Sequence, residues 1–310
     1  MALHSLPHRA YDVLGLGAVA VDDLLYVDEF PRPDGKTQVQ ARERAGGGLA
    51  GTALVAAARL GVRAAYCGVL DDDDLSRFTL DELAREGVDC GPAVRRAGAR
   101  PIHSVIIVCR NSPERCILFS MAGVTAPTAA DLPESVIASA GVLLVDHTVA
   151  GAAIRAAAIA RRHGLPVVAD LERSDFPEQE AFLDSIDHLI LSLEFARRLT
   201  GLEEPAACAT ALLARGHAAV VVTDGERGCL AAQPGQRPRA VPALRVPVVD
   251  TTGCGDVFHG AYAACLAWGG EVMTAVRVAT VAAGLKARQL GGRAGIPTRA
   301  EVEQHLAQLG

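Results

Sequence analysis

The sequence predicts an α/β fold, in which a doubly wound, mostly parallel sheet carries helices on both faces and a small β-strand lid is attached. Strand-like runs alternate with helical patterns over most of the 310 residues, which is typical of parallel strands joined by right-handed crossovers. Hydrophobic residues make up 50% of the chain but aromatic residues only 4%, and this composition suits helices packed closely on a sheet. Two early pairs of strand-like runs break the alternation and predict the lid.

The individual elements follow from apolar spacing and turn residues. Strands are predicted over 11–20, 24–30, 37–43, 64–70, 102–109, 115–121, 141–146, 166–170, 188–191 and 218–223. Helices are predicted over 49–60, 75–86, 154–162, 205–215 and 257–268. Pro33–Gly35 and Asn111–Pro113 are turn signals between strand pairs. We assign these pairs, at about 23–45 and 98–122, to the lid of a single domain over 1–310.

Charge and hydropathy argue against two kinds of partner. The formal net charge is −6 and the arginines are scattered, so we expect no nucleic-acid partner. Charges interrupt every apolar stretch before the ~18 residues of a membrane span, and Met1–Arg9 has no run of signal-peptide length. We therefore expect a cytoplasmic protein without a membrane partner. The eight cysteines lack zinc-ligand spacing, so reduced and mostly buried thiols are expected.

The stretch from Val248 to Ala261 carries the strongest chemical signal. A strand-like end leads into Gly253 and Gly255 and then into an apolar helix. The glycines permit a tight turn, and the peptide N–H groups that open the helix can bind an anion. Asp256 lies at this helix start, where the dipole attracts a carboxylate and is expected to keep it ionised. It is either a base that accepts a hydroxyl proton or only a helix cap.

Residues 250–256, Asp-Thr-Thr-Gly-Cys-Gly-Asp, closely resemble the C-terminal signature of PfkB-type carbohydrate kinases, usually written D-T-T-G-A-G-D. Residues 47–61 resemble the first signature of the same ribokinase-type family, and the likeness covers nearly the whole chain. The resemblance implies a ribokinase-like fold and ATP-dependent phosphoryl transfer to a sugar hydroxyl. It further implies that Asp256 is the general base and that the turn of Gly253, Cys254 and Gly255 is the anion hole.

Two side chains near this turn have open interpretations. Cys254 stands where the family usually has Ala. Its thiol is either reactive, because a helix N-terminus lowers a thiol pKa, or present only for its backbone N–H. His259 lies on the following helix and either packs in the core or approaches the phosphate face.

The resemblance also implies a sugar-binding end. Asp22 matches the family aspartate that binds two sugar hydroxyls, with a loop-capping carboxylate as the alternative. Gly47 and Gly48 match the glycines that lie against the sugar and hinge the lid. Thr52 stands where the family usually has Asn, so one substrate hydrogen bond differs. On the predicted lid strands, two more side chains are expected to line the pocket, His103 and Phe119.

A second loop resembles the part of the family that contacts the nucleotide. Residues 223–228 read Thr-Asp-Gly-Glu-Arg-Gly, similar to the family's T-x-G-x-x-G loop. Thr223, Gly225 and Gly228 are therefore expected to bind ATP, together with Thr280. A plain β-turn explains the loop equally well.

Metal ions are implied by the reaction and by the family. Magnesium accompanies ATP because it neutralises phosphate charge. The family's N-x-x-E element falls at 192–195, where neither Asn nor Glu is in place, and neighbouring Glu194 is the candidate substitute through a water. Many family members bind a monovalent cation, here K⁺, beside the anion hole through backbone oxygens. The matching residues are Asp250 and Thr252, with Lys286, Gln289 and Gly291 from the loop 286–295.

Several short segments are most similar to bacterial sulfofructose kinases, namely 34–36, 256–260, 285–286 and 291–297. Lys36 matches a lysine that helps to bind the anionic end of the substrate in that group, although a solvated turn lysine fits equally well. Residues 146–148 hold Asp-His-Thr where that group has an arginine, so a sulfonate would lose its bidentate partner. We expect a ketose-like or sulfosugar-like substrate.

Two other functions remain open from the sequence. A nucleoside kinase of the same fold would need an aromatic side chain to stack on the base, and aromatic residues are few. A catalytically silent sugar-binding regulatory protein is favoured by the altered 192–195 element and opposed by the intact Asp256. Exposed lid strands invite edge pairing between two subunits, so a homodimer through the lid is expected.

Overall fold

The structure, a computed structural model, describes residues 9–112 and 115–309. Pro113 of the second turn signal, and Met1 to His8 of the N-terminal stretch, lie outside the described residues. The strands are β1 (Val13–Leu16), β2 (Ala20–Val27), β3 (Val39–Gly47), β4 (Ala64–Tyr66), β5 (Val69–Leu70), β6 (Val94–Arg95), β7 (Ile102–Cys109), β8 (Arg115–Ser120), β9 (Val142–Asp146), β10 (Val167–Asp170), β11 (His188–Ser192), β12 (Ala219–Thr223), β13 (Cys229–Ala232) and β14 (Arg239–Val241).

The helices are α1 (Leu49–Arg59), α2 (Asp74–Arg85), α3 (Glu134–Ala138), α4 (Ala150–Arg162), α5 (Gln179–Asp184), α6 (Leu193–Thr200), α7 (Pro205–Leu213), α8 (Cys254–Ala267), α9 (Val272–Lys286) and α10 (Arg299–Leu306). Helices α4 and α5 alternate with the strands β9 to β11, and α6 and α7 together connect β11 to β12; of these four helices the sequence predicted α4 and α7. Short 3-10 turns lie at His147–Val149, Gly225–Arg227 and Ala307–Leu309.

The main sheet has the strand order β14-β13-β12-β11-β10-β9-β1-β4. All pairs from β4 to β12 are parallel, and β13 and β14 add an antiparallel edge. One face packs on α1, α8 and α9 through residues such as Leu54 and Tyr262. The other packs on α3 to α7 through residues such as Phe182 and Phe195. The predicted doubly wound, mostly parallel fold is confirmed.

A second sheet, here called the small sheet, has the order β3-β2-β7-β8. Its central pair, β2 and β7, is parallel, and both outer pairs are antiparallel. It contains the two segments that the sequence assigns to a lid. Since side chains alternate between the faces of a strand, the register decides which residues share a face. Asp22 pairs with Ser104, Ser104 with Phe119, and Val108 with Arg115, so these side chains lie on one face.

The structure divides two segments that the sequence predicted as single strands. The run 11–20 is not one strand, because β1 ends at Leu16 and β2 starts at Ala20 in the small sheet. Asp22 is therefore inside a strand of the small sheet rather than in a loop. The run 64–70 likewise forms β4 in the main sheet and β5, which pairs with β6. Apolar runs cannot reveal this division because both sheets bury such residues.

Candidate active site

The carboxyl ends of the central strands meet the first turn of α8. Asp146 ends β9 and Asp170 ends β10, and both are buried. Helix α8 begins at Cys254, three residues earlier than predicted, which places Asp256 inside its first turn. Ligands of open α/β sheets bind at such an edge. The helix start and the strand ends together form the centre of the candidate site.

The turn 253–255 before α8 has the geometry of an anion site; it and the loop 250–256 that contains it are here called the anion-binding turn and the anion-binding loop after their predicted role. Gly253 caps the helix in the left-handed conformation, with φ 76°, and a Cβ there would lie 2.7 Å from the carbonyl oxygen of Gly292. Around Gly255, by contrast, a Cβ would meet no atom within 4 Å. The turn is therefore fixed on one side by a close backbone approach and open on the other. The open side is where the first N–H groups of α8 can receive an anion.

Asp256 sits among other carboxylates, and this overturns the expectation that the helix start keeps it ionised. Burial raises the pKa of Asp256 well above its ordinary value, and the neighbouring Asp170, Glu172 and Asp146 raise it further, while Arg293 lowers it. Desolvation and like charges thus outweigh the helix dipole. Asp256 as a whole residue is half-buried. A carboxylate with a raised pKa is a stronger base toward a hydroxyl.

The two open side chains of α8 have structural contacts. The thiol of Cys254 donates to the carbonyl oxygen of Ala283 at 3.4 Å, and burial raises its pKa, so these contacts favour the interpretation in which Cys254 is present for its backbone N–H. His259 is buried. Its Nδ1 lies 2.8 Å from the carbonyl oxygen of Gly255 and its Nε2 lies 3.2 Å from that of Ile190. His259 therefore ties the anion-binding turn to the sheet.

Asp22 and the two glycines of the first signature meet at the other side of the site. A Cβ on Gly47 would lie 2.4 Å from the Asp22 carboxylate, and one on Gly48, whose φ is 87°, would lie 2.6 Å from the Ala18 carbonyl oxygen. Only glycine permits these approaches. Burial raises the pKa of Asp22, and a hydrogen bond with Ser104 and the charge of Arg293 lower it. Asp22 is thus a partly shielded carboxylate facing Arg293.

Arg293 is a site residue whose individual role the sequence did not reveal. Only 8% of the residue is exposed. Nη2 donates to the Gly47 carbonyl oxygen at 2.8 Å, and Nε donates to the Thr52 hydroxyl at 3.3 Å. Arg293 also contributes to the pKa of Asp22 and Asp256. The guanidinium therefore links the small sheet, α1 and the base, and it engages the hydroxyl of Thr52.

The small sheet separates the two residues predicted to line the sugar pocket. Phe119 lies on the same face as Asp22 and is 61% exposed. His103 points to the opposite face, where its Nε2 is 2.8 Å from Asp23 Oδ2 and Arg44 binds the same carboxylate. The prediction that His103 lines the pocket with Asp22 is not supported, because the period-two alternation of β7 turns it away.

The small sheet also contacts the anion-binding loop directly. Arg115, at the start of β8, donates from Nη1 to the Thr252 hydroxyl at 2.7 Å. Arg115 lies on the Asp22 face, so that face covers the loop. Lys36, the predicted ligand of an anionic substrate end, is exposed on the connection between β2 and β3. The structure therefore brings a cation from β8, rather than Lys36, against the 250–256 loop.

A cavity of about 520 Å³ lies against the other side of this loop. All four residues predicted to bind the nucleotide line it, together with two residues of the anion-binding turn: Thr223, Gly225, Gly228, Thr280, Cys254 and Gly255. A Cβ on Gly228 would lie 2.1 Å from the Val241 carbonyl oxygen, so the loop needs glycine there. The remaining lining is mainly aliphatic, which suits a flat aromatic base.

The described residues do not supply a magnesium site of their own. Ser192 caps α6 by accepting from the Phe195 N–H, and Phe195 is buried in the core. The Glu194 side chain is 87% exposed and faces Arg198, so it points away from the site. Within 9–112 and 115–309, no group of three His, Cys, Asp or Glu side chains is placed to hold a metal ion. Phosphate oxygens and waters would have to supply most ligands of a magnesium ion.

The residues predicted for a monovalent cation are close together but differently arranged. The Asp250 carboxylate accepts from the Thr252 N–H and hydroxyl and from the Gly291 N–H. Lys286 Nζ donates to the Asp250 carbonyl oxygen at 3.0 Å. Gln289 is exposed. The Lys286 ammonium group thus donates to the Asp250 carbonyl oxygen, one of the backbone oxygens expected to bind the cation. This set of donor atoms therefore does not fit an added K⁺.

Fold and site together define an α/β protein in which the glycine turn at a helix start lies beside a large, mainly aliphatic cavity. The sequence model of the pfkB family carbohydrate kinases matches residues 12–299. The chain therefore belongs to the pfkB family of carbohydrate kinases.

Individual relatives agree with this assignment. A ribokinase of Haemophilus influenzae is 27% identical over 298 residues, which cover 94% of this chain and 97% of that protein. A solved protein of Agrobacterium tumefaciens is 31% identical with a TM-score of 0.86, covering 96% and 97% of the two chains. The ribokinase of Arabidopsis thaliana, solved with ribose and ATP, has a TM-score of 0.84 at 22% identity, covering 96% and 99%. Ribokinases thus share the fold. No helix among the described residues is long and apolar enough to cross a membrane.

Proposed function

We propose that the protein transfers the γ-phosphoryl group of ATP to a hydroxyl of a ketose-like or sulfosugar-like substrate, with Asp256 as general base. The observation that carries this proposal is the double role of the first turn of α8. Cys254 and Gly255 line the large cavity, and Asp256, one residue further on, is close enough to Arg293, Asp146 and Asp170 for their charges to change its pKa. A nucleotide in the cavity and a sugar beside Asp22 would meet at this turn.

The reaction then needs only positioning, a base and charge neutralisation. Asp256 accepts the proton of the sugar hydroxyl while that oxygen bonds to the γ-phosphorus. The bond from the γ-phosphorus to the bridging oxygen breaks and leaves ADP. The N–H groups of the turn 253–255 bind the transferring oxygens. Magnesium, when bound with ATP, neutralises phosphate charge, and Thr223, Gly225, Gly228 and Thr280 hold the nucleotide.

The proposed substrate class rests on the polar groups around Asp22. Asp22 offers a carboxylate to sugar hydroxyls, and Gly47 and Gly48 let the sugar approach the backbone. The segment 146–148 stands where sulfofructose kinases have an arginine, and its Asp146 carboxylate accepts from the N–H groups of Ala18 and Thr148. This supports a neutral ketose over a sulfosugar. A sulfosugar would depend on Lys36 or Arg115 for its charge.

The proposal is tested by measuring ATP consumption over a panel of ketoses, sugar acids, sulfosugars and nucleosides. We expect one sugar class to be phosphorylated, and Asp256→Asn to lower kcat by about 10²- to 10⁴-fold, the range of general-base catalysis. Glu303→Gln, which changes a surface carboxylate on α10, is the matched control and should leave kcat unchanged. An Asp256→Asn variant with full activity would refute the assigned base.

One observation favours a silent sugar-binding protein as the second candidate. Ser192 and Phe195 replace the family's Asn and Glu, and both are used structurally. Such a protein would bind a sugar in calorimetry without consuming ATP. A nucleoside kinase would instead phosphorylate the nucleosides of the panel.

We also propose a homodimer formed through the small sheet. Strand β8 is an edge strand, and Ile117, Leu118 and Phe119 on it are 50–61% exposed. Such an edge is a template for pairing with a second chain.

We propose a cytoplasmic location as well, since ATP is the expected substrate and all eight cysteines are free thiols.

A further inference from the structure

Lys286 is the most buried basic side chain near the candidate site among the described residues. It ends α9, and 0% of the residue is exposed. A buried ammonium is costly unless it is paired and hydrogen-bonded. Its Nζ donates to the carbonyl oxygen of Asp250 at 3.0 Å, the first residue of the anion-binding loop. The chain therefore buries a cation directly beneath the loop that is expected to bind phosphate.

The charges around Lys286 suit a fixed cation. Asp250, Asp256 and Cys254 favour its charged form, whereas Arg115 opposes it. Burial nevertheless lowers the pKa of Lys286, as expected for a desolvated ammonium. The Asp250 carboxylate accepts from Thr252 and Gly291, whereas Nζ of Lys286 contacts the Asp250 carbonyl oxygen. The ammonium instead meets the loop at a carbonyl oxygen, which is the type of ligand that a bound alkali cation uses.

A free cation and Lys286 would compete for the same place. An ion that uses the Asp250 carbonyl oxygen would lie within a few ångströms of Nζ. Like charges at such a distance repel strongly where water is excluded. The Gly295 backbone further restricts the loop, since a Cβ there would lie 2.5 Å from the Lys286 carbonyl oxygen. The residues predicted to bind a monovalent cation are therefore already arranged around a covalently attached positive charge.

We propose that the ammonium group of Lys286 takes the place of the monovalent cation beside the anion hole, so that phosphoryl transfer needs no added K⁺. The inference rests on the proposed kinase function. A positive charge at the Asp250 carbonyl fixes the orientation of the loop and adds to the field that the N–H groups of 253–255 present to phosphate. Tethering the charge removes the entropic cost of recruiting an ion from solution.

The first experiment measures activity of the wild type against K⁺, Na⁺ and NH₄⁺, with N-methylglucamine chloride holding the ionic strength constant. The wild-type rate should be the same with and without K⁺. Lys286→Ala should lose activity without K⁺ and regain it with K⁺ or NH₄⁺. The rate with K⁺ should be about tenfold higher than the rate without it, which is within the usual range of coupling between sites. Arg288→Ala, an exposed neighbour on the same loop, is the control and should behave as the wild type.

The second experiment reads binding without turnover. K⁺ should raise the thermal midpoint of Lys286→Ala but not that of the wild type, because a ligand that binds only the folded state stabilises it. Lys286→Met serves if the alanine variant does not fold. A wild type that K⁺ activates several-fold overturns the inference. So does a folded Lys286 variant that responds to no cation in either measurement. Because the thermal measurement needs no sugar, failure to find a substrate would refute the proposed function and leave this inference testable.

Discussion

Arg293 shows how one side chain joins parts of the site that are distant in sequence. It lies between α9 and α10, yet it bonds the Gly47 carbonyl oxygen and the Thr52 hydroxyl. Thr52 stands where the resemblance implies an Asn, and its hydroxyl accepts a hydrogen bond from the guanidinium. The positive charge of Arg293 also lowers the pKa of Asp256, against the effects of burial and of the neighbouring carboxylates. We therefore regard Arg293 as a positioning residue for the base.

Removing this charge should change the pH dependence of the reaction. Asp256 works as a base only when ionised, so activity is lost as the pH falls through its pKa. Its pKa is raised by burial and by Asp170, Glu172 and Asp146, and Arg293 opposes that rise. In Arg293→Met the acidic limb of the kcat/KM profile should therefore move up by about one pH unit, a typical effect of one nearby opposite charge.

Arg293→Lys is the matched control for this pH profile, because it keeps the charge and loses the planar fork. Its acidic limb should stay near that of the wild type even if its KM rises. An Arg293→Met variant that is folded and has an unmoved acidic limb would show that Arg293 supports the structure alone.

At the scale of elements, the contact between β8 and the anion-binding loop is the main connection made by the small sheet. Arg115 donates to Thr252 from the face that also carries Asp22 and Phe119. The small sheet therefore covers the loop as a lid would. The assignment of 23–45 and 98–122 to a lid remains a proposal, and its physical basis is this contact together with the register of β2, β7 and β8.

Arg115→Ala should weaken the closure of the small sheet over the loop. An exposed hydrogen bond contributes about 0.5–1.5 kcal/mol, so we expect KM for the sugar or ATP to rise about 2- to 12-fold. Steady-state kinetics with each substrate varied in turn measures this change. Arg110→Ala is the control. Arg110 is an exposed arginine directly after β7, and its carboxylate neighbour is Asp28, at 3.7 Å, rather than the anion-binding loop. Equal KM values for both variants and the wild type would contradict a closing role.

The sequence predicted most elements, but it joined two pairs of strands that lie in different sheets, β1 with β2 and β4 with β5. β7 has the predicted bounds, and α1 and β9 differ from prediction by one residue, because their apolar patterns are strong and turn residues bound them. The prediction of one strand over 11–20 was wrong, because the sequence stays apolar through Gly15 and Gly17 while the chain passes from the main sheet to the small sheet. His103 was placed in the pocket because sequence shows that it lies on a strand but not which face meets the cleft.

At the scale of the whole molecule, the exposed edge of β8 is the feature that predicts assembly. Size-exclusion chromatography with light scattering should give roughly twice the 32.2 kDa chain mass, since an uncovered apolar edge favours pairing. Leu118→Glu should yield the monomer, because it places a charge on that edge. Leu202→Glu, at an exposed leucine outside the small sheet, should leave the dimer intact. A monomeric wild type at micromolar concentration would contradict the proposal.

By itself the sequence determined the α/β class, the glycine turn before α8 and the position of Asp256, because these depend on local patterns and on spacing within one segment. Only the tertiary structure decided the raised pKa of Asp256, the role of Arg293 and the contact of Lys286 with the anion-binding loop. Each of these depends on which groups from distant segments share a buried volume. Desolvation and charge act through space, and distances in space are fixed only when the sheet and its helices have packed.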